Sequence, residues 1–577
     1  MSLIAETEKY LTEVVHHIGY DLDKVSLETS NKPEFGEYQI NVAMQIAKKY
    51  GQNPREVAAS IVENLDDRFI NVNIQGPGFI NVSFADKIIL DYLNAGIDNF
   101  DIFIDQNADK RTIVLDYGGA NIAKELHVGH LRCNIGEAIR RLLNVFGDKT
   151  ISDIHWGDWG TPMGLVILEI EKMYPDLPYF DPDYEGEYPS TSPVTNDDLA
   201  IIYPRASLKK KEDPVYADEA RLMTKRLQSG ERGIRALWQH IVRISSDDCK
   251  KVYDYLNCHF DYSYGESDAD KYVGDVLSLL KEKDVTEYSD GALIMHVADP
   301  DDKKAMPPLM LVKSDGAVLY DTTELATVYQ RMHDWQPNAI WYFTDERQSL
   351  HFEQIFRGCY KSGLTDPDVD LHFYGFGTIN GTDGKPFKTR DGGVMSLKNL
   401  IKEVYVNIEP KIKEDIVGDE RIVIANKLTV ATLKFADLLP YRKTDYIFDV
   451  EKFTSFEGKT GIYAVYTATR LKSLLKKVGN SGTTMTSIVN SDMREILVKL
   501  TELSRVLKNA YCEITTNYIA EFIYELCSLY NKFYAKNNIS NETSIAVKNS
   551  YIALSRLVYN TLSKLLDILG IEEVDRM

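Results

Sequence analysis

The sequence contains no run of 18 uncharged apolar residues, which a membrane-spanning helix would need. Its first residues, MSLIAETEKY, show neither the basic nor the apolar segment of a secretory signal, and its six scattered cysteines include no C-x-x-C pair. We therefore expect a cytoplasmic protein with no membrane contact, disulfide or structural zinc. Apolar residues still make up 44% of the 577 residues, so the chain can form several domains with substantial cores.

Basic residues are in the minority, and the net charge of −21 disfavours a general nucleic-acid coat. The imbalance is uneven along the chain, because residues 451–577 hold 16 Lys and Arg against 13 Asp and Glu. This mildly basic region on an acidic body could bind a polyanion at one end. A solvated helical face explains the same numbers.

The first part of the chain, residues 1–105, has the pattern of a small α/β domain. The stretch INVAMQIAKKYG has apolar residues at helical spacing and ends in Gly51, which predicts an amphipathic helix. The stretch VNIQGPGFINVSF predicts two strands around a Gly-Pro-Gly turn.

Residues 106–400 alternate between strand and helix patterns. TIVLDY, TISDIHW, AVLY and AIWYF are short apolar runs, and a helical pattern follows each of them. This alternation predicts a doubly wound parallel sheet of the Rossmann-like α/β class. Residues from about 170 to 310 interrupt it with charged helices, so we expect an insertion that packs on the sheet.

Strand signals vanish beyond about residue 400. We expect a helical linker region at 401–450 and an all-α helical bundle at 451–577, where four long segments show a 3.6-residue period. Many tyrosines alternate there with Lys and Arg, a pattern that can stack on nucleic-acid bases but is also common in helical cores.

The stretch LDYGGANIAKELHVGHLR, residues 115–132, places His127 and His130 after a glycine loop. A zinc pair is disfavoured, because helical zinc ligands are usually four residues apart and no third ligand stands nearby. Two histidines satisfied at a helix start are a second interpretation. A phosphate site is the third, since a strand, a glycine loop and a helix start offer free N–H groups to an anion, and Gly129 lets the backbone approach a base or ribose closely. The loop matches neither the dinucleotide fingerprint nor the Walker P-loop.

The H-x-G-H pattern between the first strand and first helix of such a sheet resembles the HIGH motif of class I aminoacyl-tRNA synthetases. Further blocks narrow the resemblance to arginyl-tRNA synthetases: ANIAKELHVGHLR, HWGDWGTPMG, LYDTTELATVYQR, DERQSLHFEQIF, GFGTINGTDGKPFKTRDGG, SFEGKTGIYAVYTATR and the terminal LLDILGIEEVDRM. FGEYQINVAMQIAKKYGQNPREVAASI and GPGFINV resemble the family's additional N-terminal domain. The resemblance covers essentially the whole chain in order.

This resemblance implies a ligase that attaches L-arginine to tRNA(Arg). It would use ATP to form arginyl-adenylate, transfer the arginine to the 2′-hydroxyl of the terminal adenosine, and release AMP and pyrophosphate. The alternatives are a different H-x-G-H nucleotidyltransferase and a synthetase-like RNA-binding protein without catalysis.

The resemblance also implies an arginine-binding set. Asp116 and Asn121 would hold the α-amino and α-carboxylate groups, Tyr320 and Glu324 would lie at the guanidinium, and Gln348 would contact the amino acid. The family commonly has Asp where Glu324 stands, so the charge is kept here but the reach is one methylene longer. A turn Asp, a capping Asn, a first-turn Glu favoured by the helix dipole and a surface Gln are the structural alternatives.

On the ATP side, the resemblance implies that His127, Gly129 and His130 contact the nucleotide. The stretch GTDGKPFKTRDGG stands in the place of the family's mobile KMSKS loop but departs from that motif, which leaves Lys385 and Lys388 as candidate cations near the pyrophosphate. Arginyl enzymes with a degenerate loop often carry a lysine just before HIGH, and Lys124 matches that pattern. A polar surface turn is the alternative for this stretch.

The resemblance predicts partners as well. Mg²⁺ would arrive with ATP, because no protein-only metal site is visible in the sequence. Tyr463, Tyr466 and Arg470, at positions i, i+3 and i+7 of one helix face, would bind tRNA in a DALR-type anticodon-binding domain, with core packing as the alternative. We expect a monomer that requires bound tRNA to activate arginine.

Overall fold

The computed structural model describes residues 2–106, 109–314, 316–385, 387, 395–479 and 482–577. The chain folds into two compact units. One contains Met1–Asn107, Glu409–Phe435 and Phe453–Met577, and the other contains Ala108–Ile408 and Ala436–Lys452. No helix within the described ranges is long and apolar enough to cross a membrane.

The N-terminal segment is a small antiparallel sheet with helices. Its elements are α1 (Leu3–His17), β1 (Leu27–Thr29), β2 (Tyr38–Ile40), α2 (Val42–Tyr50), α3 (Pro54–Glu63), β3 (Phe69–Gln75), β4 (Phe79–Phe84) and α4 (Asp86–Ala95). The sheet order is β1-β2-β4-β3. The predicted helix and the predicted pair of strands are confirmed, and Gly51 ends α2 at φ +67°, a conformation that glycine adopts at little cost.

The second unit is built around a parallel sheet. Its elements in chain order are β5 (Thr112–Tyr117), α5 (Cys133–Val145), β6 (Lys149–Asp153), α6 (Thr161–Met173), α7 (Asn196–Glu212), α8 (Pro214–Gln228), α9 (Arg232–Tyr255), α10 (Glu266–Ala269), α11 (Val273–Glu282), β7 (Glu287–Ser289), β8 (Ala292–Met295), β9 (Leu309–Val312), α12 (Tyr320–Trp335), β10 (Ala339–Phe343), α13 (Ser349–Ser362), β11 (Asp370–Phe373), β12 (Ile379–Asn380) and α14 (Leu397–Ile408).

The parallel strands lie in the order β11-β10-β5-β6. Ile113, Val114 and Leu115 of β5 are fully buried, as expected for a strand covered by helices on both faces. The predicted doubly wound α/β sheet is therefore confirmed. The strand order reverses between β5 and β10, and in such sheets ligands bind outside the carboxyl ends of the strands at this position.

The insertion consists of helices α7 to α11 and the antiparallel sheet β7-β8-β9. The prediction of a strand at AVLY, residues 317–320, is wrong. Leu319 N–H donates to the carbonyl of Leu311, so this segment folds back along β9 instead of joining the parallel sheet. Tyr320 consequently begins α12 rather than ending a strand.

The C-terminal region is mainly helical. It contains α15 (Gly418–Leu438), β13 (Tyr446–Ile447), α16 (Val450–Phe453), α17 (Gly461–Val478), α18 (Ser491–Thr501), α19 (Leu503–Glu513), α20 (Asn517–Lys536) and α21 (Ile545–Ile568). The predicted helical bundle is confirmed, although the short β13 pairs with β12 where no strand was expected. The bundle packs on the N-terminal segment: the amide of Asn94 donates to the carbonyl of Met485 at 2.9 Å and accepts from its N–H at 2.8 Å.

A close approach of α5 to β5 positions the end of the central strand. A Cβ on Gly136 of α5 would lie 2.3 Å from Cγ of the buried Tyr117, so only glycine fits at this contact. The Tyr117 hydroxyl in turn donates to the buried carboxylate of Glu137 at 2.8 Å. Gly136 therefore lets the helix after the histidine motif pack directly against the strand that ends at the cavity.

We predict that Gly136→Ala destabilises the protein by about 1–3 kcal/mol, because the added methyl group overpacks a filled core. Urea unfolding measures this change. Gly274→Ala in α11 is the matched control, since a Cβ there meets nothing within 4 Å. That variant should be neutral or more stable by up to about 1 kcal/mol through helix propensity. Equal effects of the two substitutions would contradict the packing argument.

Candidate active site

A cavity of about 560 Å³ lies at the carboxyl ends of β5 and β10. The following predicted residues line it: Asp116, Asn121, His127, Gly129, His130, Tyr320, Glu324 and Gln348. They come from two stretches of the sequence, Asp116–His130 and Tyr320–Gln348, which the parallel sheet brings to one place.

His127 and His130 stand at the start of a 3-10 helix, Val128–Arg132. Gly129 N–H donates to Nδ1 of His127 at 3.0 Å, and His127 N–H donates to Nδ1 of His130 at 3.1 Å. The two histidines therefore cap the 3-10 helix, as the interpretation of satisfied histidines at a helix start expected. Because Nδ1 of His127 accepts a hydrogen bond, the neutral imidazole carries its hydrogen on Nε2, which can donate to a ligand.

Gly129 is required by this arrangement. A Cβ at Gly129 would lie 2.8 Å from the imidazole of His127, so a side chain there would displace the capping ring. Neighbouring backbone fixes the motif further, since Val128 N–H donates to the carbonyl of Met395 and Leu397 N–H donates to the carbonyl of Leu126.

The two histidines are held in their uncharged form. Burial, together with His127 and Lys124, lowers the pKa of His130 to about 3. Burial and the charges of Arg347 and Lys124 also lower the pKa of His127. This end of the cavity can therefore offer imidazole hydrogen-bond donors without a fixed positive charge at neutral pH.

Asp116 belongs to a network that the sequence did not reveal. The Nη2 of Arg331, a residue of α12 with a 2% exposed side chain, donates to Oδ2 of Asp116 at 2.6 Å and to Oδ2 of Asp153 at 2.8 Å. Asp116 and Asp153 stand opposite each other on β5 and β6, so their carboxylates would repel without this guanidinium.

His155 completes the network. Although burial opposes its protonation, the Asp153 carboxylate 3.7 Å away raises the pKa of His155 to about 9. Asp116, Asp153 and His155 lie close enough together to hold a metal ion. The Arg331 guanidinium already supplies positive charge between the two carboxylates, so this group needs no metal to be balanced.

Two further carboxylates face the cavity. Glu324 lies in the second turn of α12 and is 5% exposed, and Glu266 begins α10. Within the part of the chain that the structure describes, neither forms an ion pair with lysine or arginine. Burial and the charge of Glu324 raise the pKa of Glu266 to about 8, while His155 partly opposes the shift. Burial and Glu324 likewise raise the pKa of Tyr320.

Glu266 was missed by sequence reasoning. It lies in the insertion, where nothing local distinguishes it from the acidic residues around it. Its N–H donates to the carbonyl of Trp156 at 3.0 Å, so the stretch HWGDWG carries it to the cavity. Gly157 of the same stretch makes room for Asn121, because a Cβ there would lie 2.2 Å from Oδ1 of Asn121.

The remaining predicted residues lie at or beyond the rim. Gln348 is exposed and accepts a hydrogen bond from the Thr344 hydroxyl at 2.7 Å. Lys124 and the exposed Lys385 do not line the cavity; Nζ of Lys124 lies 4.6 Å from the centre of the Tyr203 ring. Lys388 lies outside the described residues.

One cation at this rim was not foreseen. Arg347 lines the cavity with an 83% exposed side chain, and both oxygens of Asp345 accept hydrogen bonds from it at 2.7 Å. The stretch DERQ, which ends just before α13, contains this pair. Its residue types alone do not separate it from other surface charges.

Tyr463, Tyr466 and Arg470 lie half-buried on α17 in the other unit. The Arg470 guanidinium donates to the Tyr466 hydroxyl at 2.6 Å and to Oδ1 of Asn531 at 3.0 Å. Tyr463 packs against Tyr524 with ring centres 6.0 Å apart. Both tyrosines thus take part in packing between helices while keeping some exposed surface.

Comparisons with known proteins agree over the length of the chain. Three family models match: the class I tRNA synthetase (R) catalytic domain over residues 99–450, the arginyl-tRNA synthetase N-terminal domain over 5–84, and the DALR anticodon-binding domain over 464–577. The chain belongs to the arginyl-tRNA synthetase family.

Relatives and solved structures extend the match. Arginine–tRNA ligases from Alkaliphilus oremlandii and Francisella tularensis subsp. novicida are 41% and 39% identical, over 100% and 99% of this chain and all of theirs. The fold resembles arginyl-tRNA synthetases from Plasmodium falciparum (TM-score 0.82, 24% identity, 100% of this chain and 99% of that one) and Thermus thermophilus (TM-score 0.79, 18% identity, 100% of both). This synthetase is an arginine–tRNA ligase, which removes the two alternatives that the sequence had left open.

We predict that two of the three histidines lining the cavity of this synthetase, His130 and His155, titrate far apart on the pH scale. His130 should stay neutral from pH 5 upward, because its pKa is lowered to about 3, and His155 should keep its charge until about pH 9. NMR spectroscopy of ring-labelled histidine measures both, with His130→Asn and His155→Asn assigning the signals. A His130 signal that titrates near the ordinary 6.5 would contradict the buried, capped arrangement.

Proposed function

We propose that the guanidinium group of arginine binds between Glu266 and Glu324 of this synthetase. The observation that supports this most strongly is the pair of carboxylates facing one cavity without an ion-pair partner among the described residues. A bound guanidinium would supply the missing cation, and its planar fork of N–H donors can bind both acids at once. Tyr320, which stands one helical turn before Glu324, would complete this wall.

Charge and shape together favour arginine over other amino acids. A neutral side chain would supply no cation to the two acids, so Glu266 would keep its proton and form no charge-assisted hydrogen bond with the ligand. Lysine carries a single compact ammonium and cannot donate in two directions within one plane. The longer side chain of Glu324, where the family commonly has Asp, would act together with Glu266, which lines the same cavity.

The other end of the amino acid would bind near the end of β5. Arg331 already holds Oδ2 of Asp116, so Oδ1 would accept a hydrogen bond from the α-amino group of arginine. Asn121 and Gln348, which line the same cavity, would orient the α-carboxylate. The reacting carboxylate would then face the histidine end.

ATP would bind at that histidine end. His127 and His130 would donate to phosphoryl oxygens, and Gly129 would let the backbone approach the nucleotide closely. Lys124, Lys385 and Lys388 would supply positive charge on the pyrophosphate side. The arginine carboxylate attacks the α-phosphorus in line, the bond to the β-phosphate bridging oxygen breaks, and pyrophosphate leaves as arginyl-adenylate forms. The protein contributes mainly alignment and stabilisation of the developing charge.

Mg²⁺ belongs to this proposal as part of the substrate. The described residues offer a possible metal group at Asp116, Asp153 and His155, but Arg331 binds two of these side chains, so the group does not fit a resident ion. Mg²⁺ would therefore enter with ATP, coordinated by the triphosphate.

The second step transfers arginine to tRNA(Arg). The 2′-hydroxyl of the terminal adenosine would attack the activated carbonyl and release AMP. Tyr463, Tyr466 and Arg470 would contact the tRNA with their exposed parts. The dependence of activation on bound tRNA, the monomeric state, the cytoplasmic location and domain boundaries near residues 105, 400 and 450 stay predictions from the sequence.

Two substitutions test the arginine end and the ATP end of the site separately. Glu324→Gln should raise KM for arginine about tenfold or more, because a charge-assisted hydrogen bond is lost, and leave KM for ATP within about twofold. His130→Ala should lower kcat about tenfold to a hundredfold, with KM for arginine little changed, because its donor acts on the phosphate. Steady-state aminoacylation with labelled arginine measures all four parameters.

Glu169→Gln is the matched control for removing a buried carboxylate charge. Glu169 is fully buried on α6, does not line the cavity, and accepts hydrogen bonds from Lys209 and Tyr216. Its substitution should leave both KM values unchanged. An unchanged KM for arginine in Glu324→Gln would show that the guanidinium binds at another place.

A further inference from the structure

The turn just before the histidine motif has an unusual backbone. Lys124 N–H donates to the carbonyl of Asn121 at 3.3 Å, which closes a four-residue turn. Ala123, its third residue, adopts φ +62°. Turns with a left-handed third residue usually place glycine there, because a Cβ is strained in this region. Some neighbouring contact must therefore hold Ala123 in place.

Ser245 of the insertion makes that contact. The N–H of Ala123 donates to Oγ of Ser245 at 2.9 Å, and Ser245 is 4% exposed on helix α9. A buried backbone N–H without a partner is costly, so this bond favours the strained turn over conformations that turn the N–H away. The bond joins residues 122 positions apart.

The same insertion contacts the loop at two other points. The ring of Tyr203 on α7 lies 4.6 Å from Nζ of Lys124, within the range of a cation–π interaction. The hydroxyl of Tyr253 on α9 donates to the carbonyl of Gly118 at 2.6 Å. Insertion side chains therefore hold the loop near its beginning, at its turn and at its lysine.

The turn carries a candidate residue at each end. Asn121, its first residue, lines the arginine end of the cavity, and Lys124, its last, is a candidate cation for the pyrophosphate. A change in the conformation of Ala123 would move both side chains at once. Beyond Glu266, the insertion thus contacts a turn that carries candidate residues for both substrates.

We propose that Ser245 is a positioning residue for arginine activation, which holds the Asn121–Lys124 turn in its strained conformation and so sets the places of Asn121 and Lys124. This inference rests on the proposed functions of those two residues. It assigns to the insertion a part in aligning arginine with ATP.

The experiment measures arginine-dependent ATP–pyrophosphate exchange by the full-length protein in the presence of tRNA. Ser245→Ala should lower kcat about tenfold to a hundredfold and raise KM for arginine, since small displacements of aligned groups are costly. Adding Ala123→Gly should bring both parameters back to within about threefold of the unsubstituted protein, because glycine adopts this φ without support.

Ser246→Ala is the matched control. Ser246 is the next residue of α9 and is also buried, but its hydroxyl donates to the carbonyl of Arg243 within its own helix. It should leave exchange unchanged. Exchange by Ser245→Ala within twofold of the unsubstituted protein would overturn the inference. So would a loss that Ala123→Gly fails to restore, since general damage to α9 would not respond to a change in the turn.

Lys124→Gln and Asn121→Ala separate this inference from the proposed function. If both substitutions impair exchange and Ser245→Ala does not, only the role of Ser245 fails. If neither impairs exchange, the proposed functions of the turn residues fail and the inference fails with them. If the account holds, Ser245→Ala added to Lys124→Gln lowers kcat by less than the product of the two separate losses.

Discussion

Glu266 and Glu324 bring two carboxylates to one wall of a cavity, and a cation placed between them relieves their repulsion. Burial, with the charge of Glu324, raises the pKa of Glu266, so in the free protein this acid keeps its proton up to about pH 8. Arginine brings a planar cation of the right shape. In the proposed site, selection of the amino acid and relief of this repulsion would be one event.

The residues around Glu266 and Glu324 are arranged so that their own charges are balanced or absent. Arg331 and His155 balance Asp116 and Asp153 at the strand ends, so the central network is close to neutral before substrates bind. His127 and His130 stay uncharged at the start of their 3-10 helix. The acidic side chains and the uncharged imidazoles thus share one cavity without pairing with each other, as the proposed guanidinium and phosphate sites would require.

The sequence predicted the parts of the site that depend on local pattern. TIVLDY became β5 with the predicted bounds, and the histidine motif follows it at a helix start, because strand and helix periodicities are local. The resemblance to the family supplied Tyr320, Glu324 and Gln348, which line the cavity. The role of each side chain in binding stays a prediction.

Contacts between distant segments could not be predicted. Glu266 reaches the cavity through backbone pairing with Trp156, Arg331 meets Asp116 across 215 residues, and Ser245 supports a turn 122 residues away. The strand expected at AVLY failed for the same reason, since its apolar residues pack back along β9. Tertiary pairing decided each of these outcomes.

Isothermal titration of arginine into the free protein, in buffers of different ionisation enthalpy, tests the central claim most directly. At pH 7 the account predicts release of about one proton per arginine bound, because the guanidinium lowers the pKa of Glu266 from about 8. Affinity should rise from pH 6 to about pH 8 and then level off, and Glu266→Gln should abolish both effects. Arginine binding without proton release, at an affinity that is the same at pH 6 and pH 8, would contradict it.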